Sequence, residues 1–158
     1  MNTNLRPGLK VKSRILSIED ANRMLPLLQG IVRDVMKCWD SIIYKRSQLE
    51  LLEKSLTATR DPNWEEQIQE LKVELNRLID RINGYIREVE ELGCFVEEFK
   101  RGVINFPSLY LGRKVFLCWT PGEPEVRYWH ELDESYNERS MIRDKRDFLV
   151  ARSEPSTN

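Results

Sequence analysis

The sequence predicts an α+β fold in which a long antiparallel helical hairpin, of the coiled-coil type, carries a small C-terminal antiparallel β-meander. Two observations predict it. Apolar residues between positions 17 and 93 recur at alternating steps of four and three, which indicates two helices that pair along a heptad seam. After Gly93 the period changes to two, which is typical of short strands separated by turns.

The composition suits long solvated helices and limits the classes of partner. Of the 158 residues, 32% are charged and 41% are hydrophobic, and the net charge is −1. This balance gives no overall attraction to nucleic acid or an anionic membrane, and no apolar run reaches membrane-spanning length. Three cysteines without CxxC spacing indicate reduced thiols, and the basic N-terminus lacks the apolar core of a secretory signal. We therefore expect a cytoplasmic protein.

The first helix is predicted to cover about residues 17–56, after a flexible basic arm over residues 1–16. Ser17 can cap free backbone N–H groups, and Asp20 adds negative charge at the start of the helix. Pro26 removes one helical N–H donor, so we expect a kink at or just before it. The apolar seam comprises Ala21, Leu25, Leu28, Val32, Val35, Trp39, Ile42 and Leu49.

The second helix is predicted to cover about residues 62–92, with Asp61 as its N-cap, Pro62 at its first position and Gly93 at its C-terminal cap. Its seam comprises Trp64, Ile68, Leu71, Leu75, Leu78, Ile82, Tyr85, Val89 and Leu92. Two such helices joined by a short loop must lie antiparallel. Since a lone pair covers only part of its apolar surface, we expect a homo-oligomer, a dimer, formed through the hairpin.

Residues 94–140 are predicted to form a meander of three or four strands packed on the hairpin. The expected strands are 94–99, 103–106, 114–119 and 125–131, with "PSLYLGR" as a loop and "TPGEP" as a turn. Both faces of the last strand pair are partly apolar, so a helix must cover one face and something else must cover the other. The charged tail, residues 141–158, is predicted to be disordered, with "DFLV" as a segment that could dock.

Several separated motifs carry a resemblance to a known family. "IEDANRMLPLL", "ELGCFVEEFKRGVINFPSL" and "GRKVFLCWTPGEPEVRYWHELDESYNER" occur in order around the heptad region, over roughly residues 15–142. In these motifs the chain resembles the bacterial family called domain of unknown function 2203. The resemblance implies the fold described above, but no activity, substrate or catalytic residue. The chain departs from the family pattern mainly in its charged tail.

The candidate chemistry lies around "VFLCWTPGEPEVRYWHELDESY", which contains the only histidine. His130, Asp133 and Glu123 are candidate acid–base groups, and His130 and Asp133 are candidate metal ligands. A structural histidine is the competing interpretation, because no paired Cys or His spacing, nucleophile motif or glycine-rich phosphate loop accompanies it. The catalytic residues therefore stay unassigned, and no cofactor is predicted.

The candidate residues for binding a ligand or partner combine flat aromatic side chains with planar guanidinium groups. They are Trp119, Arg127, Tyr128, Trp129, Tyr136 and Arg139. The competing interpretation is that these aromatics form cross-strand pairs and core.

The leading functional hypothesis is a cytoplasmic, oligomeric interaction or scaffold protein with no assignable reaction, whose sheet makes the specific contacts. The alternative is a small metal-dependent or acid–base enzyme that uses His130 and neighbouring carboxylates. A third hypothesis is a nucleic-acid-associated factor, against which the acidic second helix argues. No membrane association is expected.

Overall fold

The computed structural model describes residues 14–55 and 62–149 and confirms the α+β fold. Two helices precede an antiparallel five-stranded sheet whose strands pair in sequence order. The helices are α1 (Ile18–Lys54) and α2 (Trp64–Glu91), and the strands are β1 (Phe95–Glu98), β2 (Val103–Tyr110), β3 (Arg113–Trp119), β4 (Tyr128–His130) and β5 (Ser140–Met141). Among the described residues, no helix is apolar over a length that could cross a membrane.

The start of α1 follows the sequence prediction. The Ser17 hydroxyl accepts from the Asp20 backbone N–H at 2.9 Å, and the Asp20 carboxylate accepts from the Ser17 N–H at 3.0 Å. This reciprocal capping box satisfies two backbone donors that the helix itself cannot. The helix continues as one element through Pro26, which is exposed. The kink at Pro26 stays a prediction. Residues 1–13 of the predicted basic arm lie outside the described residues.

The start of α2 differs from the prediction. The helix begins at Trp64 with Asn63 as its N-cap, and Pro62 lies in the preceding turn; Asp61 lies outside the described residues. The Trp64 indole donates to the Leu52 carbonyl at 2.8 Å, which ties the beginning of α2 to the end of α1. The predicted end is confirmed, because Gly93 follows the helix with a φ of 94°, the left-handed conformation that glycine tolerates best.

The two helices form the predicted antiparallel hairpin, and its distal half has a core of its own. The buried residues of this distal core are Val35, Cys38, Ile42, Leu49, Ile68, Leu75, Ile82 and Ile86. The first half of α1 instead packs on one face of the sheet, which we call the inner face. The sheet residues of this contact include Val96, Ile104, Phe106, Val115, Leu117 and Trp119. The predicted facing of Val115, Leu117 and Trp119 is therefore confirmed.

Two of the predicted strands differ in length from the observed strands. "PSLYLGR" is not a loop, because β2 continues to Tyr110 with Pro107 opposite Phe116. Strand β1 pairs with β2 only up to Asn105, so the missing N–H of Pro107 removes no hydrogen bond from that pair. Instead, the Pro107 carbonyl accepts from the Leu16 N–H at 2.7 Å.

The last predicted strand, 125–131, shortens to β4, three residues long. The Val126 N–H donates to the side-chain oxygen of Asn22 in α1 at 2.7 Å, so this backbone group does not pair with a neighbouring strand. The predicted tail also differs, since residues 141–149 are ordered. Met141 belongs to β5, and Phe148 of "DFLV" is buried beside Tyr110, to which it forms an isolated bridge.

Candidate functional site

The outer face of the sheet, opposite the helices, carries a compact set of polar side chains. These residues, which we call the outer cluster, are Glu97, Asn105, Cys118 and His130. The strand register brings them together: Asn105 lies opposite Cys118, and Cys118 lies opposite Tyr128, two residues before His130. Since alternate residues share a face, the four side chains come from four neighbouring strands onto one surface.

His130 is only 1% exposed, and acceptor atoms surround its imidazole. Its Nδ1 lies 2.8 Å from the Glu131 carbonyl oxygen. Its Nε2 lies 3.2 Å from a Glu97 carboxylate oxygen and 3.2 Å from the Asn105 side-chain oxygen. The Asn105 side-chain N–H donates to the Glu97 carboxylate at 2.9 Å, which fixes the orientation of that amide. Because both ring nitrogens face acceptors, the imidazole is held in its doubly protonated, charged form.

The pKa values agree with this assignment. Burial by itself favours a neutral ring, but hydrogen bonds from the imidazole to the Cys118 sulfur, the Glu97 carboxylate and a backbone carbonyl outweigh burial and raise the pKa of His130 to about 10. Burial likewise opposes a charged Glu97, whereas the bonds that it accepts lower its pKa. The outer cluster therefore contains a buried imidazolium–carboxylate pair at neutral pH.

Residues 131–139, which connect β4 to β5, fold over the outer cluster, and we call them the strap. The Tyr136 backbone N–H donates to the second oxygen of Glu97 at 3.0 Å. Arg139 closes the other end through a bidentate pair with Glu123, at 3.0 and 2.8 Å. The strap is thus the covering that the sequence required for the second apolar face of the sheet.

Guanidinium groups stack on aromatic rings where the strap meets the sheet. The Arg139 guanidinium lies 3.9 Å from the centre of the Tyr128 ring and 4.1 Å from that of Tyr136. The Arg101 guanidinium lies 4.3 Å from the centre of the Tyr136 ring, and a bidentate pair with Glu98 holds it there. These cation–π contacts, of which those of Arg139 are largely buried, stabilise the strap over the sheet.

The structure brings together only some of the predicted site residues. His130, Tyr128, Tyr136 and Arg139 meet on the outer face, where Glu123 anchors Arg139. Asp133 is exposed in a turn of the strap.

The other predicted residues lie away from this face. Trp119 is fully buried in the inner-face core, and its indole donates to the Glu123 carbonyl at 2.9 Å. Trp129 packs on the inner side and stacks on Tyr110, with ring centres 4.5 Å apart. Arg127 is exposed and pairs with Glu125.

Sequence reasoning missed Glu97 and Asn105. Both are polar residues inside short apolar strand segments, "CFVEEF" and "VINF", at positions that alternation assigns to the outer face. Polar residues at such positions usually face solvent. The signal that could have found them is the need to cover the outer face, since a covered polar residue requires a partner.

The arrangement offers few ligands for a metal. In residues 14–55 and 62–149, no group of three or more His, Cys, Asp and Glu side chains is placed to hold a metal ion. His130 has both nitrogens engaged, and Asp133 is exposed while His130 is buried.

Comparison with known proteins gives one match. The model of the family described as "Uncharacterized conserved protein (DUF2203)" matches residues 14–142, which is most of the chain. The chain belongs to this family. The outer cluster and the strap both lie within the segment that the DUF2203 model matches. No curated protein and no solved structure matches the chain.

Proposed function

We propose that this DUF2203 protein is a cytoplasmic interaction protein that forms a homodimer through its helical hairpin and leaves its sheet free for a protein partner. The observation that carries the proposal is the set of large apolar side chains exposed on the hairpin. In the distal half of the hairpin they are Ile43 at 45%, Tyr44 at 64%, Leu51 at 70% and Val73 at 47% exposure.

Tyr44 and Leu51 lie on one side of α1, off its buried seam, and Leu51 lines a groove together with Gln67 and Leu71 of α2. Tyr44 and Leu51 each follow a buried seam residue, Ile42 or Leu49, by two positions. Two positions rotate a side chain by about 200° around a helix, so both point away from the seam. They are seven positions apart, about two helical turns, and therefore lie on the same side.

The distal half of the hairpin explains why such residues need a partner. Its core contains residues of α1 and α2, with Phe99 as the sheet-proximal side chain packed against it. A layer of two helices can bury only the stripe where the helices face each other. A second hairpin laid on this side of α1 would cover Tyr44 and Leu51 and complete a four-helix arrangement.

The cytoplasmic location is supported by the cysteines. Cys38, Cys94 and Cys118 are all buried free thiols. Free thiols are the usual state in a reducing compartment.

Sedimentation of the double variant Tyr44→Ser, Leu51→Ser tests the homodimer. We expect a wild-type dimer at micromolar concentration and a dissociation constant raised at least about tenfold in the variant, because interface aromatic and apolar anchors carry most of the binding energy. The matched control is Leu132→Ser, Met141→Ser, which changes two apolar residues of comparable exposure, 52% and 59%, on the sheet side. A monomeric wild type, or equal dissociation of the control, would refute the proposal.

The alternative of an acid–base or metal-dependent enzyme has less support from the geometry. Its central residue, His130, is buried and bonded through both ring nitrogens to protein atoms, so neither imidazole nitrogen is open to a substrate in the folded protein. Acid–base catalysis requires a group within hydrogen-bonding reach of the substrate.

A further inference from the structure

A second heptad stripe runs along α1, on the side of the helix away from its buried seam. Each member follows a seam residue by two positions, which turns its side chain by about 200° around the helix. The central members, which we call the outer stripe, are Leu27, Gly30, Asp34, Lys37, Ser41 and Tyr44. All six are exposed, and the large apolar side chains at its two ends are 56% and 64% exposed. One copy of the hairpin therefore leaves this stripe uncovered.

Gly30 indicates that another helix approaches the outer stripe. It lies in the interior of α1, where glycine destabilises a helix relative to alanine. A Cβ atom at this position would meet no atom within 4 Å, so nothing in the described part of the chain requires a glycine here. Ser41, the other small residue of the stripe, is also exposed. Small side chains on a helix surface allow a second helix to pack at a short interaxial distance.

Asp34 and Lys37 are the charged residues of the outer stripe. Both are exposed, and neither side chain has an ion-pair or hydrogen-bond partner within residues 14–55 and 62–149. They have opposite charge and lie three positions apart at the centre of the stripe. Two such helices can pair their charges reciprocally when they run antiparallel.

We propose that α1 packs on α1 of a second copy of this chain, antiparallel, with the two-fold axis between positions 35 and 36. This interface rests on the proposed homodimer and specifies its geometry. The register places Asp34 of each copy opposite Lys37 of the other. Because the interface is isologous, two ion pairs form side by side across the axis.

The same register matches the rest of the outer stripe. Gly30 of each copy lies opposite Ser41 of the other, so the helices approach most closely at small residues on both sides of the axis. Leu27 lies opposite Tyr44, so the exposed apolar side chains cover each other. Burial of these apolar surfaces drives association, whereas the reciprocal charges fix the register.

Other registers lose this match. A shift of seven positions in one direction places Asp34 opposite Tyr44, and a shift in the other direction places Leu27 opposite Lys37. In both, a charged side chain loses water without gaining a charged partner. Parallel packing about a two-fold axis places each charge opposite its own copy, and like charges that face each other oppose association.

The register also determines the shape of the dimer. In each copy the first half of α1 packs on the sheet, and the distal half pairs with α2. Antiparallel packing therefore lays the distal half of one hairpin along the sheet-bearing half of the other, and the two sheets lie at opposite ends. Leu51 then lies opposite the first turn of α1 in the other copy.

Cysteine cross-linking tests the register directly. Gly30→Cys and Ser41→Cys, equilibrated as an equal mixture and oxidised, should form a disulfide-linked dimer, because facing small residues of closely packed helices lie within disulfide reach. Either variant oxidised alone should give at least about tenfold less, because two copies of one position are then about 16 Å apart along the axis. The native cysteines of the described chain are buried and give little background. Non-reducing electrophoresis and peptide mass spectrometry measure the product.

Charge reversal, followed by sedimentation, tests the ion pairs. Asp34→Lys and Lys37→Asp should each raise the dissociation constant at least about tenfold, because like charges then face each other twice. The double variant restores opposite charges and should dimerise within about threefold of the wild type. An equal mixture of the two single variants should form a heterodimer in preference to either homodimer. Asp80→Lys, which reverses an exposed charge on α2, is the matched control and should dimerise like the wild type.

The outcomes separate this interface from the homodimer itself. A wild type that is monomeric at micromolar concentration would refute both. A wild-type dimer in which the cysteine variants cross-link equally well alone and mixed would refute the register and leave the homodimer standing. The same conclusion would follow if the double charge variant did not recover dimerisation, or if Asp80→Lys weakened the dimer as much as Asp34→Lys.

Discussion

The two faces of the sheet are both buried, but different chemistry buries them. The inner face is apolar and packs on the first half of α1, with Phe106, Leu117 and Trp119 fully buried. The outer face carries a charged pair, Glu97 and His130, under a strap of nine residues, 131–139. The same strands thus take part in a non-directional apolar contact on one side and in a directional polar network on the other.

The difference shows what each face contributes. Apolar packing stabilises the sheet in proportion to the area removed from water, and it tolerates conservative exchange of side chains. The outer cluster gains little net free energy from its charges, because removing two charges from water offsets most of their attraction. It instead fixes one arrangement of the strap, since every acceptor of Glu97 requires a donor at a defined place.

The largest effect is expected on the inner face. Trp119→Ala removes a fully buried indole and leaves the Glu123 carbonyl without its donor. We expect a loss of about 3–5 kcal/mol in the free energy of unfolding, the usual range for aromatic truncation in a core. Urea denaturation followed by circular dichroism measures it. A loss below about 1 kcal/mol would show that the inner face is not the main core of the sheet.

A slightly smaller effect is expected when the outer cluster loses its cation. His130→Leu leaves the Glu97 carboxylate largely buried without its charged partner. Breaking a buried pair in this way costs about 3 kcal/mol. The same denaturation experiment tests it, and Arg146→Leu, which breaks an exposed pair with Asp144, should change stability by less than about 1 kcal/mol. Similar losses in the two variants would contradict the buried pair.

Stability should also depend on pH through the outer cluster. The pKa of His130 rises from 6.5 in the unfolded chain to about 10 in the folded chain, so its contribution is complete below pH 6.5 and is lost as the pH rises toward 10. The pKa of Glu97 falls below 4.5, so its contribution is present above pH 4.5 and is lost as the pH falls through the folded value. The pair therefore stabilises the fold most between about pH 4.5 and 6.5.

Denaturation of the wild type and of His130→Leu between pH 6 and pH 9 measures this dependence. The stability difference between the two proteins should shrink with rising pH, by at most about 1.4 kcal/mol per pH unit. A difference that stays constant over this range would mean that His130 is neutral in the folded protein.

The sequence predicted the inner face and the hairpin because both depend on periodicity. The heptad seam places Val35, Ile42 and Leu49 against α2, and alternation places Leu117 and Trp119 against α1. These contacts need only an apolar residue at the correct interval, which a single sequence displays.

The outer cluster could be predicted only in part, because its contacts depend on exact positions in space. The need for a second cover was visible from the apolar outer positions, but Asn105 and Glu97 look like ordinary solvent-facing residues until the strap is placed over them. The candidate residues His130, Asp133, Tyr136 and Arg139 recur at three-residue intervals at and after the end of β4, although only Tyr136–Glu138 forms a 3-10 turn there. The end of β2 was missed because Pro107 is common in loops and is tolerated here only where β1 has ended.

The smallest effect is expected from a double substitution that makes the outer cluster resemble the inner face. Glu97→Leu combined with His130→Leu removes both charges together, and apolar replacement of a buried pair is often neutral in stability. We expect a change within about 1–2 kcal/mol of the wild type, although His130→Leu alone costs more. What the double variant should lose is the fixed strap, because the Tyr136 N–H no longer has its carboxylate acceptor. Amide hydrogen exchange in residues 131–139 should therefore become faster, while exchange in β3 stays unchanged. Unchanged exchange in the strap would show that the Arg139–Glu123 pair holds it without the outer cluster.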